Sequence, residues 1–280
     1  MNELTKRIFV AILGIPLVLG AIISGGYLYL IFIATVSTLA IYEFYKMAEA
    51  KKYFPSKFIG ITTNLLLYFI VGIFYSHKYI FLYSEFLLYS IYLLLLLSAA
   101  APIQFLLSKN NNIFASLGVT LSGIMYISVP MILLVYLRFE DSFSVINNNM
   151  YLILLLFTGV WICDTAAYFV GKSIGKRKLL ERVSPKKTIA GAVAGLISSA
   201  IYVPLVSMIV LPNTPFYISV SLGIIIGIFG QIGDLIESKF KRDAGVKDSG
   251  NIFPGHGGVL DRFDSIIFIT PFVFLLLILF

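Results

Sequence analysis

The stretch "NMYLILLLFTGVWICDTAAYFVG", residues 149–171, decides the class of fold. Its 23 residues include one charged side chain, Asp164. A helix rises about 1.5 Å per residue, so this stretch can cross the roughly 30 Å hydrocarbon core of a bilayer. We therefore predict a membrane-spanning helix here. A carboxylate inside such a helix is costly, which makes Asp164 a candidate functional residue.

Similar apolar segments recur along the whole chain. With about 20 apolar residues needed per span, about nine segments qualify. They occupy residues 8–24, 27–48, 58–76, 79–107, 113–137, 149–171, 189–211, 215–237 and 263–280. The composition agrees, because 59% of the residues are hydrophobic and only 12% are charged. The sequence predicts an all-α, polytopic membrane protein. We expect a single membrane domain, with N-terminal helices at 1–140 and C-terminal helices at 141–280.

The distribution of Lys and Arg predicts the orientation of the spans. Cytoplasmic loops of membrane proteins carry an excess of these residues. If the N-terminus is cytoplasmic and the spans alternate, 19 of the 21 Lys and Arg residues fall on the cytoplasmic side. This arrangement also places the last loop, which precedes the ninth span, in the cytoplasm.

Acidic residues concentrate near this last loop. Six of the fourteen Asp and Glu residues lie in the 31 residues that end at Asp264. Asp164 and Asp234 stand eight and five residues before the next lysine, about 12 and 8 Å along a helix. Both acids are therefore predicted at a similar shallow depth. The last loop can bring Asp248, Asp261 and Asp264 over them, which predicts a carboxylate-rich pocket at the membrane surface.

Such a pocket needs a positive charge, because clustered carboxylates repel one another. Oxygen ligands suit Mg²⁺, and neighbouring Lys and Arg side chains suit phosphate groups. Together these groups favour transfer at a phosphorus atom. More ordinary interpretations stay open. Asp164 can be a hydrogen-bonded packing acid, Glu237 and Asp243 are interpreted as interfacial charges, and Lys172 and its basic neighbours can be topology determinants.

Two polar segments flank the seventh and eighth spans. In "SPKKT", residues 184–188, Ser184 and Thr188 can cap a helix start, and Lys186 and Lys187 then lie beside amides that favour an anion. A plain capped helix is the alternative. The preceding "GKS" at Gly171 is not a phosphate loop, because a membrane helix rather than a strand precedes it.

The segment "GQIGDLIESKFKRDAGVKDSGNIFPGHGGVLDRFDS" follows the eighth span. Asp234, Ser238 and Lys241 share a helix face by their spacing. Its "FPGHGG" run cannot form regular helix, and its glycines let the backbone approach a phosphate closely. Glycines inside the predicted spans have a different role, because small residues let two helices pack closely. These packing glycines are Gly191, Gly195, Gly223 and Gly227.

This last segment resembles the signature of the phosphatidate cytidylyltransferase (CDP-diacylglycerol synthase) family. The matching residues are Ser238, Phe240, Lys241, Arg242, Lys247, Asp248, Gly250, Phe253, Pro254, His256, Gly257, Gly258, Asp261, Arg262 and Asp264. The runs "DTAAYFVGK", "SPKKT" and "GQIGDLIES" are similar to further family segments. One departure is Ala190, where family members often have Glu before the following glycine.

The resemblance implies a reaction in which CTP and phosphatidic acid give CDP-diacylglycerol and pyrophosphate, with Mg²⁺ as cofactor. It implies a homodimer in the lipid bilayer of the cell membrane, with the active site facing the cytoplasm and no nucleic-acid partner. A CTP-dependent lipid kinase and an ion-coupled transporter are the alternatives. The kinase would transfer the γ-phosphate, and the transporter would place its acids nearer the midplane, between repeated halves.

Roles for individual residues follow from the resemblance. Residues expected to be catalytic are Asp234, Lys241, Asp248, Asp261 and Arg262. Expected Mg²⁺ ligands or nearby acids are Asp164, Asp234, Asp261 and Asp264. Expected substrate-binding residues are Ser184, Lys186, Lys187, Ser238, Arg242, Lys247, His256, Gly257 and Gly258. His256 either donates to a phosphate or organises its loop.

Overall fold

Helices make up most of the chain that the structure, a computed structural model, describes. The described residues are 3–76, 92, 96, 100, 102–103, 112–139, 143, 145–253 and 257–280. The helices are α1 (Glu3–Ser24), α2 (Gly26–Ala50), α3 (Lys57–Ser76), α4 (Ile113–Gly123), α5 (Val129–Phe139), α6 (Asn149–Ile174), α7 (Ile189–Val210), α8 (Phe216–Ile225), α9 (Gln231–Asp243) and α10 (Leu260–Ile278). The predicted all-α membrane fold is confirmed.

The helix bounds follow the predicted spans closely, because apolar length fixes both. Among the described residues, five helical stretches are long and apolar enough to cross a membrane. They are Gly26–Ala50, Ile113–Phe139, Asn149–Ile174, Ile189–Val210 and Phe216–Asp243. The span predicted at 79–107 lies almost wholly outside the described residues, so the total of nine stays a prediction. The protein is thus a multi-pass membrane protein.

Two of these stretches contain a π-helical turn, which accommodates one residue more than an α-helical turn. Ile124–Ser128 joins α4 to α5, and Ile226–Gly230 joins α8 to α9. Gln231 follows the second turn, and its side-chain amide donates to the carbonyl oxygens of Gly227 at 2.6 Å and Ala192 at 3.0 Å. Gly227 lies within the π-helical turn and Ala192 lies in α7, so the Gln231 side chain links the start of α9 to α7.

The chain divides into two compact units, of which the first comprises Met1–Val135 and Asp243–Asp261. Tyr45 is fully buried at its centre and donates to the Thr120 carbonyl at 2.8 Å. A Cβ atom at Gly60 or Gly123 would overlap the Tyr45 ring. The two glycines therefore leave the space that this aromatic side chain fills.

The second unit comprises Tyr136–Arg242 and Arg262–Phe280. Here α6 and α7 pack closely at Gly195. A Cβ atom at this position would lie only 3.0 Å from the Cys163 carbonyl oxygen. At Gly223, a Cβ atom would lie 2.7 Å from the Ser199 carbonyl oxygen. The predicted packing role of these glycines is confirmed. The predicted grouping of the helices into residues 1–140 and 141–280 stays a prediction.

A two-stranded antiparallel hairpin connects α6 to α7, and the sequence did not predict it. Strands β1 (Lys178–Leu180) and β2 (Ser184–Thr188) pair with Lys178 opposite Thr188. Thr188 then caps α7, accepting the Gly191 backbone N–H at 3.2 Å. The predicted helix cap is therefore present. The "SPKKT" run forms strand β2, and its last residue, Thr188, is the cap.

Candidate functional site

The second unit gathers acidic and basic side chains from four elements, here called the carboxylate cluster. Helix α6 supplies one acid, α9 two acids and a lysine, α10 one acid, and β2 a lysine. Its members are Asp164, Lys187, Asp234, Glu237, Lys241 and Asp264. Four carboxylates thus face two ammonium groups.

Asp234 lies at the centre of the carboxylate cluster. Its Oδ2 pairs with the Lys187 ammonium at 2.6 Å, and its Oδ1 accepts the Ser238 hydroxyl at 3.2 Å. The side chains of Asp234 and Lys187 are both about one-third exposed or less, at 32% and 26%. Asp234 and Ser238 therefore lie on one face of α9, as predicted. Of the two lysines in "SPKKT", Lys187 is the one that contacts Asp234. Lys186 beside it is exposed, and Ser184 is half-buried.

Three acids of the carboxylate cluster are close enough to share one cation. Asp234, Glu237 and Asp264 each offer one carboxylate oxygen, and these oxygens lie within 4.8 Å of one another. Asp264 is 8% exposed and Glu237 is fully buried. An all-oxygen set of this size suits Mg²⁺, which binds through a few carboxylates and keeps some of its waters. The residues present therefore fit the expected cofactor.

Asp164 belongs to the same electrostatic neighbourhood. Its charge interacts with those of Asp234, Lys187 and Arg262. Its side chain lies at the surface of the protein. Within the described residues it accepts no hydrogen bond of the kind that a buried packing acid requires. The interpretation as a buried packing residue thus loses its main support, and a part in charge balance is favoured.

The basic residues that follow in α9 have separate contacts. Lys241 forms an ion pair with the buried Glu237 one helical turn before it, and its side chain is only 11% exposed. Arg242 is exposed and donates from Nε to the Val183 carbonyl at 3.4 Å, in the turn of the hairpin. Lys241 therefore neutralises an acid of the carboxylate cluster, whereas Arg242 ties α9 to the hairpin.

The last loop, which belongs to the first unit, holds its acid in a different way. Asp261 Oδ2 accepts the backbone N–H of Ser249 at 2.9 Å and that of Gly258 at 2.7 Å. The Ser249 hydroxyl lies 2.9 Å from the same oxygen. This oxygen is thus occupied by the loop's own donors, and Asp261 fixes the shape of the loop.

The other loop residues with a predicted site role are either exposed or have an unusual backbone conformation. Lys247 and Asp248 are exposed. Gly257 has φ of +84°, a conformation that favours glycine, and a Cβ atom there would overlap the Asp261 carboxylate. His256 lies outside the described residues, so its predicted role is open.

Comparison with known proteins assigns the chain to a family. Residues 5–280 match the sequence model of the Cytidylyltransferase family. This chain belongs to the cytidylyltransferase family.

Relatives agree with this assignment. A protein of Bacillus subtilis (strain 168) named phosphatidate cytidylyltransferase is 32% identical over 280 residues, covering 100% of both chains. Proteins of the same name from Staphylococcus saprophyticus and Staphylococcus aureus (strain COL) are 46% and 43% identical over 173 residues. These staphylococcal matches cover 61% of this chain and 63% of the relatives. The chain therefore matches less than two thirds of the length of the staphylococcal cytidylyltransferases.

Two acids of this chain were missed or misjudged from the sequence. Glu237 is no interfacial charge, because it is fully buried within the carboxylate cluster. Asp243, interpreted in the same way, does lie at the surface, where it pairs with the exposed Lys51 at 3.3 Å. Glu43 was not considered, although an acid within an apolar span is the same signal that identified Asp164. It is 2% exposed and contacts the last loop.

Proposed function

We propose that the chain transfers the cytidylyl group of CTP to phosphatidic acid, giving CDP-diacylglycerol and pyrophosphate. The observation that carries this proposal is the carboxylate cluster, with its two lysines, in a member of the cytidylyltransferase family. A full-length relative is named for the same activity. Lipid-embedded helices supply the environment that an acceptor with two acyl chains requires.

The proposed reaction forms one bond and breaks one. An ionised phosphatidate oxygen attacks the α-phosphorus of CTP, and the bond from that phosphorus to the bridging oxygen breaks as pyrophosphate leaves. The nucleophile is already ionised, so little general-base help is needed. Catalysis then rests mainly on positioning and on stabilising negative charge.

Mg²⁺ is the proposed cofactor, and Asp234, Glu237 and Asp264 are the residues proposed to hold it, because their oxygens lie within 4.8 Å of one another. When bound, it would offset the negative charge of the triphosphate and of the departing pyrophosphate. Asp164 would add charge to the same neighbourhood. A metal role for Asp261 would depend on Oδ1, since Oδ2 accepts two backbone N–H bonds and lies 2.9 Å from the Ser249 hydroxyl.

Cationic side chains are proposed to bind phosphates. Lys187 pairs with Asp234 in this structure and is the first candidate, because a triphosphate can compete for its ammonium group. Lys241 holds the charge of Glu237, and Arg262 interacts with Asp164. Lys186, Arg242 and Lys247 are exposed and can contact the nucleotide as it arrives.

We further propose the cell membrane as the location, with the nucleotide arriving from the cytoplasm. The excess of Lys and Arg in alternate loops supports this orientation, since 19 of 21 fall on one side of the predicted topology. A homodimer, implied by the family resemblance, is part of the same proposal.

The test uses the full chain purified in detergent, with phosphatidic acid and CTP labelled on either the α- or the γ-phosphate. Mg²⁺ is supplied or chelated, and Asp234→Asn serves as the impaired variant. We expect α-label in the lipid, dependent on Mg²⁺ and lost in the variant. Label transferred from the γ-phosphate would identify a kinase instead. Folded protein that transfers neither label would reject the proposed function and return attention to ion-coupled transport.

A further inference from the structure

Glu43 is a buried acid that the proposed reaction does not use. It lies in α2, within a stretch apolar enough to span a membrane, and only 2% of it is exposed. An ionised carboxylate in such a place is strongly destabilising unless hydrogen bonds compensate it. Its retention therefore needs an explanation from its contacts.

All of the hydrogen bonds described for Glu43 come from the last loop. Oε1 accepts the Val259 backbone N–H at 3.0 Å, and Oε2 accepts that of Leu260 at 2.9 Å. The Ser249 hydroxyl donates to Oε2 at 2.9 Å. Ser249 is 206 residues from Glu43 in sequence, so the contact joins distant parts of the chain.

Two of these donors belong to the start of a helix. Because α10 begins at Leu260, the Val259 and Leu260 amides have no partner within the helix. A negative charge at this end is favoured by the helix dipole. Glu43 thus acts as a cap supplied by another helix, and it fixes where α10 begins.

The loop is also shaped to receive the Glu43 carboxylate. A Cβ atom at Gly250 would overlap Oε1, and one at Gly258 would overlap Oε2. These glycines therefore leave space for the acid on both sides of the described loop. Ser249 connects the arrangement to Asp261, since its hydroxyl lies 2.9 Å from both carboxylates. Glu43, Ser249 and Asp261 are here called the loop anchor.

We propose that Glu43 is a positioning residue for the proposed cytidylyl transfer. It holds Ser249, which follows Lys247 and Asp248, and the backbone at Val259 and Leu260, and it orients Asp261 through Ser249. We assign it no contact with a substrate. The inference rests on the proposed function for its catalytic consequence, whereas its hold on the loop can be measured without any turnover.

The decisive variant is Glu43→Gln, which keeps the size of the side chain. An amide offers one acceptor oxygen, and its NH₂ group would face a backbone N–H that now donates to a carboxylate. Glu43→Asp keeps the charge but shortens the reach, and it serves if the first variant folds poorly. The matched control is Glu49→Gln, because Glu49 lies in the same helix and pairs with Lys57 at 2.8 Å, away from the loop.

Two readouts separate positioning from a general loss of folding. Hydrogen exchange, followed by mass spectrometry, compares peptides that cover residues 248–260 with peptides from α6 and α7. Steady-state kinetics give kcat and the KM for CTP. Less folded protein lowers the apparent kcat and leaves KM unchanged, whereas a misplaced loop also raises KM.

In Glu43→Gln we expect exchange to accelerate at least tenfold over 248–260 and to stay unchanged in α6 and α7. The KM for CTP should rise and kcat/KM should fall by about 10- to 100-fold, the loss typical when a supporting residue is removed. Glu43→Asp should lie between this variant and the wild type. Glu49→Gln should match the wild type in both readouts.

The proposal is overturned if kcat/KM of Glu43→Gln stays within twofold of the wild type, or if exchange accelerates equally along the chain. A wild-type protein that transfers no cytidylyl group would reject the proposed function alone. In that case the exchange data still decide the structural claim. Faster exchange confined to 248–260 upholds the loop anchor, and unchanged exchange there removes it.

Discussion

The carboxylate cluster and the loop anchor use buried acids in opposite ways. In the carboxylate cluster, Asp234 and Glu237 form ion pairs with the ammonium groups of Lys187 and Lys241. In the loop anchor, Glu43 and Asp261 accept backbone N–H groups and one serine hydroxyl. A cation or a phosphate can exchange with an ammonium partner, but it cannot replace the backbone. The first arrangement suits ligand binding and the second suits a fixed shape.

The largest expected effect comes from replacing the central acid of each region. Asp234→Asn should slow cytidylyl transfer about a thousandfold, since several kcal/mol of charge stabilisation would be lost. Asp261→Asn keeps one acceptor oxygen for the loop and should slow it about 10- to 100-fold. Initial rates with saturating CTP and Mg²⁺ measure both. Equal losses would mean that Asp261 acts on the metal as directly as Asp234, as the sequence predicts.

The next effect concerns the stability of the carboxylate cluster. Glu237→Gln removes the negative charge that pairs with the largely buried Lys241 ammonium, and should lower the free energy of unfolding by about 3–5 kcal/mol. The double variant Glu237→Gln, Lys241→Met removes both charges and should recover most of that stability. Unfolding in detergent, followed by intrinsic fluorescence, measures both. Turnover should stay low in the double variant, and a stable, active single variant would contradict the assignment.

Two serines offer a matched comparison of the regions. Ser249→Ala removes a hydroxyl that lies 2.9 Å from two carboxylates, and should lower the free energy of unfolding by about 1.5–3 kcal/mol. Ser238→Ala removes one bond of 3.2 Å to Asp234, which keeps Lys187, and should lower it by about 1 kcal/mol or less. Parallel unfolding curves test the difference. The reverse order would mean that the loop anchor is less rigid than its geometry indicates.

The smallest effect has a diagnostic sign. Lys187→Gln removes one positive charge beside Asp234, so the apparent affinity for Mg²⁺ should rise, by roughly fivefold if the pair contributes about 1 kcal/mol. The KM for CTP should rise as well, because a phosphate partner is lost. Titrations of Mg²⁺ and CTP against initial rate give both constants. Lys178→Gln, on the partner strand of the same hairpin, is the control. A weaker affinity for Mg²⁺ would reject the competition between lysine and metal.

Much of the fold was predictable because apolar length determines where a membrane helix begins and ends. The prediction of 189–211 and the observed Ile189–Val210 differ by one residue. The hairpin was not predictable in this way, since its basic, exposed residues lack an alternating apolar pattern.

The site was predictable only in part, for a similar reason. Asp164 and Asp234 are identified by their apolar surroundings and by the basic residues that follow them. Glu237 was misjudged because the basic residues that follow it, Lys239, Lys241 and Arg242, suggest a surface, whereas tertiary packing buries it. Glu43 was missed because its partners lie more than 200 residues away, and spacing along the chain carries no information about such a contact.

The π-helical turn Ile226–Gly230 sets the rotational phase of the residues that follow it. If these five residues became α-helical without the loss of a residue, each later side chain would rotate by about 100° around the axis. Asp234 and Glu237 would then turn away from Asp264, which lies in α10. The hydropathy of the helix would hardly change. Evolution of this helix is therefore expected to tolerate exchanges among apolar residues while resisting substitutions that convert the turn to α-helix.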